Sequence, residues 1–127
     1  MMKKPDSIIR ISTSVDDKFF KYYLSFLRLF HNLTDREMDV LSALLKCRYE
    51  LSKVIKDSNI LDRVVMGEDT KRKVREELNV SLAHFQVIMG KLRKNNVIID
   101  GKINPKFIPN ITEEKGVFQL LLYFDLK

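Results

Sequence analysis

Residues 75–96 read REELNVSLAHFQVIMGKLRKNN, and the way this stretch divides decides what the chain can be. Two helical segments meet inside it. The first closes at Leu78, because Asn79 can take the left-handed backbone that ends a helix and Val80 can plug the corner behind it. Ser81 then offers a side-chain oxygen to cap the next helix. From Ser81 to Asn96 the apolar residues Leu82, Phe85, Ile88, Met89 and Leu92 recur at three- and four-residue spacing, so they share one side. The opposite side is centred on Ala83, Val87, Gly90 and Lys94.

Upstream, Thr70 to Leu78 is the first helix of this corner, with Val74 and Leu78 as its buried pair and Glu68, Asp69 and Thr70 at its N-terminus. Residues 59–67, NILDRVVMG, are long enough for one or two turns. LTDREM at 33–38 places Thr34 and Glu37 as a capping box and Leu33 against Met38 as a hydrophobic staple. The helix it opens carries Val40, Leu41, Leu44, Leu45, Cys47, Leu51, Val54 and Ile55 near one face and is expected to end close to Asp57-Ser-Asn59. Before it, Ser14 and Asp17 form a capping signature for a helix reaching about His31. Only Lys18, Lys21, Ser25 and Arg28 make its polar stripe. So wide an apolar surface is sunk in the domain's own core or covered by another chain, which makes residues 16–31 the expected contact of a homo-oligomer.

Two β elements are expected at the ends and a third after the corner. SIIRIS at 7–12 is rich in β-branched residues and bounded by Pro5-Asp6 and Thr13-Ser14. VIIDGKI at 97–103 is two strands across an Asp-Gly turn. Asn104-Pro105 and Pro109-Asn110 interrupt the returning strand and place it at an edge. VFQLLLYFDL at 117–126 has the continuous apolar character of a strand buried on both faces, paired with SIIRIS, the hairpin, or both.

The sum is one domain over 1–127, mainly α with a small β-sheet (α+β). An N-terminal strand and aromatic helix occupy 1–32, the helix-turn-helix and hairpin 33–110, and a C-terminal strand 111–127. At 127 residues the chain holds one core. Its 45% hydrophobic and 31% charged residues are the balance of a globular protein. Cys47 is the only cysteine and falls on an apolar helical side with no neighbouring base, so it is expected in the core rather than as a nucleophile. MMKKPDSIIRIS lacks the apolar length of a secretory leader, and FFKYYLSFLRLF is interrupted by Lys21 and Arg28, so a cytoplasmic protein with no membrane span is expected.

The net charge of +6 has one location. Residues 70–106 hold nine basic groups, Lys71, Arg72, Lys73, Arg75, Lys91, Arg93, Lys94, Lys102 and Lys106, against Glu76, Glu77 and Asp100; the remainder holds 14 basic and 14 acidic residues. An excess confined to the corner and hairpin points to a polyanionic partner.

Capped helix, helix-turn-helix and hairpin follow in the order of a winged helix. LTDREMDVLSALL resembles the opening helix of LuxR-type domains, and REELNVSLAHFQVIMGKLRKNNVI is similar to the helix-turn-helix and first wing strand of winged-helix regulators. The run into DGKINPKFIPN resembles small winged-helix proteins of crAss-like tailed phages and their hosts. The resemblance implies that residues 81–96 enter the major groove of double-stranded DNA and that 100–106 form the wing.

For direct reading of bases that helix offers Gln86, with His84 nearer the edge, while Ser81 sits at its start; Ala83 or Val87 could touch a thymine methyl. The nine basic groups suit phosphate contacts better. The small, apolar middle of the same surface would serve equally against a protein, so the alternative is an interaction protein of a virion or other assembly. A regulator would work in the cytoplasm, of the host if phage-encoded. No catalytic constellation, phosphate loop or metal-ligand spacing is present: His31 and His84 are far apart, and Glu113-Glu114 reads as a solvated loop. Neither enzymatic activity nor a cofactor is expected.

Overall fold

The computed structural model describes residues 8–16, 18–111 and 116–127. Helix α3 (Asp35–Ser52) is the centre, packed by α1 (Phe19–Phe26), α4 (Ser58–Val65), α5 (Glu68–Leu78) and α6 (Leu82–Lys94). Its start is the capping box expected from Thr34 and Glu37: the Glu37 amide donates to the Thr34 hydroxyl at 3.3 Å and the Thr34 amide to the Glu37 carboxylate at 2.9 Å. Leu33 and Met38 are both buried beside it. Met38, Leu41 and Leu45 form one buried row and Val40, Leu44 and Cys47 a second, which is how one helix serves neighbours on two sides.

The helix ends at Ser52, short of the expected boundary near Asp57. Residues 53–54 turn outward, leaving Val54 exposed, and Asp57 instead caps α4 by accepting from the amides of Asn59 and Ile60. Helix α5 begins two residues earlier than expected, at Glu68; Val74 is buried but Leu78 only half-buried.

The aromatic N-terminal segment is not one helix. It breaks at Leu27 into α1 and the four-residue α2 (Arg28–His31). The break has a polar cause. The Leu24 carbonyl, which a continuous helix would use for the Arg28 amide, instead accepts from the Leu27 amide at 3.0 Å and from His31 Nε2 at 2.7 Å. Ser25 Oγ also donates back to the Lys21 carbonyl at 2.8 Å, a bond that bends helices. Helix α1 starts at Phe19 with no side-chain cap; Ser14 does not serve it, and Asp17 lies outside the described residues.

Both ends of the corner close alike. Asn79 and Asn96 adopt left-handed backbone, φ 54° and 60°, and the next amides, Val80 and Val97, reach back to the Arg75 and Leu92 carbonyls at 2.9 Å. Val80 and Val97 are buried. Strands β1 (Ile98–Ile99) and β2 (Lys102–Ile103) then pair antiparallel, Ile98 opposite Ile103, across Asp100 and Gly101, which both have positive φ as the tight hairpin turn requires. Asn104 fastens the hairpin base, donating from Nδ2 to the Asn96 carbonyl at 2.9 Å, before a 3₁₀ turn at Pro105–Phe107. The sheet therefore stops at Ile103, and the expected wing to Lys106 is shorter.

The fold is thus mainly helical with one two-stranded antiparallel sheet among the described residues. Neither terminal strand forms within them. Residues 8–14 carry no regular structure and leave Ile8, Ile9 and Ile11 exposed; Ser7 lies outside the described residues. Residues 117–127 likewise carry no regular structure, and only Phe118 is half-buried, against Phe19 and Tyr23. Strand-like sequence is not enough: a hairpin with two residues in each strand offers little edge to build on.

Candidate nucleic-acid interface

Ser81 holds the start of α6 by accepting from the His84 amide at 3.1 Å, and Phe85, Ile88, Met89 and Leu92 anchor the helix in the core. Leu82 does not join them. It is the first residue of the helix and half-exposed, so the buried stripe begins a turn later at Phe85. Ala83, His84, Gln86 and Val87 all face outward, Val87 with 69% of its surface open. At Gly90 a methyl group would meet only the Arg93 guanidinium, at 3.9 Å, so the backbone there is open to a close approach.

The basic groups fall on three elements and play unequal parts. Arg93 and Lys94 are exposed and Lys91 half-buried in the last turns of α6, where positive charge also suits the helix dipole. On α5, Arg72 is exposed and pairs with Asp69 at 3.0 Å, while Lys71 and Arg75 are half-buried and Arg75 Nε makes no hydrogen bond. Lys73 is exposed on α5, and its positive charge favours the Cys47 thiolate. Burial outweighs that charge and pushes the Cys47 thiol up, which keeps it protonated.

Lys102 is half-buried and turns to a recess of about 400 Å³ between the hairpin and α4, which Arg48 and Asp62 also line. Those two form a partly buried ion pair at 3.3 Å joining α3 to α4. Lys106 is exposed on the 3₁₀ turn. The site is therefore narrower than the charge count suggested. The exposed side of α6 with Lys91, Arg93 and Lys94 forms one surface, while Lys102 turns to the recess beside α4.

Sequence reasoning missed the part played by His31. The ring is buried; Nδ1 accepts from the Leu33 amide at 3.0 Å, which places the ring proton on Nε2 for the Leu24 carbonyl. Burial lowers its pKa, and the Arg28 charge lowers it further against the effect of the Leu24 bond. Asn95 at the end of α6 donates from Nδ2 to the His31 carbonyl at 2.8 Å and to the Asn32 carbonyl at 3.3 Å. Arg36 on α3 similarly donates to the Leu78 carbonyl at the end of α5, at 2.7 Å. The Arg36 bond ties the end of α5 to α3, and the Asn95 bonds tie the end of α6 to the end of α2. Only the long-range contact reveals them, since neither residue stands out in its local sequence.

Among the described residues no cluster of His, Cys, Asp and Glu could hold a metal ion, and no helix is long and apolar enough to cross a membrane. Glu113 and Glu114 lie outside the described residues. The chain matches no protein-family model, no curated protein and no solved structure.

Proposed function

We propose that this protein binds duplex DNA as a winged helix, with α6 in the major groove and the β1–β2 hairpin as the wing, and acts as a transcriptional regulator, including one encoded by a phage. The observation that carries this reading is the exposed side of α6: Ala83, His84, Gln86 and Val87 stand clear of the core, with Lys91, Arg93 and Lys94 at the end that leads into the hairpin. Phosphate contacts supply most of the affinity. Gln86 is the best-equipped base reader, and Val87 and Ala83 suit thymine methyl groups. Exposed Leu82 and Val87 favour a second reading, in which the same surface docks on protein in a virion or other assembly.

Fluorescence anisotropy with random and genomic duplexes over a salt series separates the two. Log affinity should fall linearly with log salt, and replacing Lys71, Arg72, Lys91 and Lys94 by alanine should reduce the slope by up to about 3 to 4. Absence of binding at low salt would dismiss the DNA reading and leave the protein-docking one.

A further inference from the structure

The C-terminal segment has the sequence of an apolar strand but forms no ladder among the described residues. Its even positions, Phe118, Leu120, Leu122, Phe124 and Leu126, are all apolar, and Gln119 and Asp125 fall among the odd ones. Phe118 is already seated, its ring 5.2 Å from Phe19 and 5.7 Å from Tyr23, both edge-on. In an extended strand the other even side chains follow Phe118 toward the helical side. There, the stripe that begins at Phe19 and Tyr23 runs on uncovered through Tyr22, Phe26, Leu29 and Phe30, with Leu29 92% and Phe30 66% exposed.

We propose that the occupant of this stripe is a two-stranded antiparallel ribbon made by residues 117–126 of two copies of this chain. A register centred on Leu122 sets Phe118 opposite Leu126 and Leu120 opposite Phe124, so one face of the ribbon is wholly apolar, while Gln119 meets Asp125 on the other.

Two physical arguments select a second copy. First, a single tail laid on the helices would bury backbone N–H and C=O groups with no partners. The only sheet among the described residues has two residues in each strand and does not pair with the tail. The same segment of another copy supplies a ladder of matching length, and the two-fold exchange closes at two chains.

Second, the helical stripe leaves on the order of 500 Å² of apolar surface open and the even face of the tail roughly as much again, above the largest patch usual on a monomer. A stable interface needs about 800 Å² from each partner. This assembly is independent of DNA binding.

Sedimentation velocity of the full chain across a concentration series should show a reversible dimer. Leu122→Asp and Phe26→Asp should each weaken association at least about 100-fold while the helical circular dichroism is retained. In a Cys47→Ala background, Leu122→Cys should give a disulfide-linked dimer on mild oxidation. Leu120→Cys should not, because its mate lies about 13 Å along the ribbon. A chain monomeric at every concentration, a dimer indifferent to Leu122→Asp, or equal cross-linking of the two cysteines would overturn the proposal.

Discussion

Protonating His31 would set a second donor, at Nδ1, against the Leu33 amide from which Nδ1 now accepts, at a fully buried ring. The folded state holds the ring below its ordinary pKa of 6.5, so as pH falls the unfolded chain takes up the proton first. Stability from this group is therefore complete above about pH 6.5, declines through the interval down to the depressed folded value, and levels off beneath it. Urea midpoints measured from pH 7.5 downward should show this decline. His31→Gln should be less stable at neutral pH but lose that part of the slope; equal slopes in both proteins would refute the assignment. Gly90 makes the opposite case. An added methyl has room and removes backbone entropy from the unfolded chain, so Gly90→Ala should stabilise by about 0.5–1 kcal/mol. If α6 approaches DNA closely at this point, the same variant should bind duplex more weakly despite its higher melting temperature.

At the scale of elements, the best-marked helix start is also the most testable: Thr34→Ala should cost about 1 kcal/mol, read from a denaturant midpoint, because it removes the oxygen that accepts from Glu37. The left-handed asparagines behave differently. Asn79→Gly should be tolerated, whereas Asn79→Val should lose about 1–2 kcal/mol by forcing a branched side chain into that backbone. These features were legible because each depends on residues within a few positions of one another: Thr34 with Glu37, Ser81 with His84, Asp100 with Gly101. The break at Leu27 was not, because it needs the Leu24 carbonyl diverted to a histidine whose ring is held by its burial. The terminal segments show the reverse failure. Their β-branched and apolar composition is that of strands, but composition carries no information about whether a partner is present in the same chain.

On the level of the whole molecule, α3 organises nearly everything, and the charge that seemed one patch in the sequence is divided. Lys102 looks to the α4 recess and Arg72 is engaged by Asp69, while the end of α6 keeps Lys91, Arg93 and Lys94. Helical position told which residues were outward on their own helix; it could not tell which neighbour each outward residue would meet. Among the described residues the tail contributes one ring, Phe118, set against Phe19 and Tyr23. Deleting residues 119–127 should accordingly leave the melting temperature at high dilution nearly unchanged and abolish its dependence on protein concentration.

The amide of Asn95 grips the His31 carbonyl across 64 residues of chain. Its two ends are placed by α6 and α2, so the bond is expected to close once those helices have come together. A latch that closes after the rate-limiting event has a definite kinetic signature. Asn95→Ala should leave the refolding rate close to that of wild type and accelerate unfolding, so that the chevron's right arm rises while its left arm stays in place.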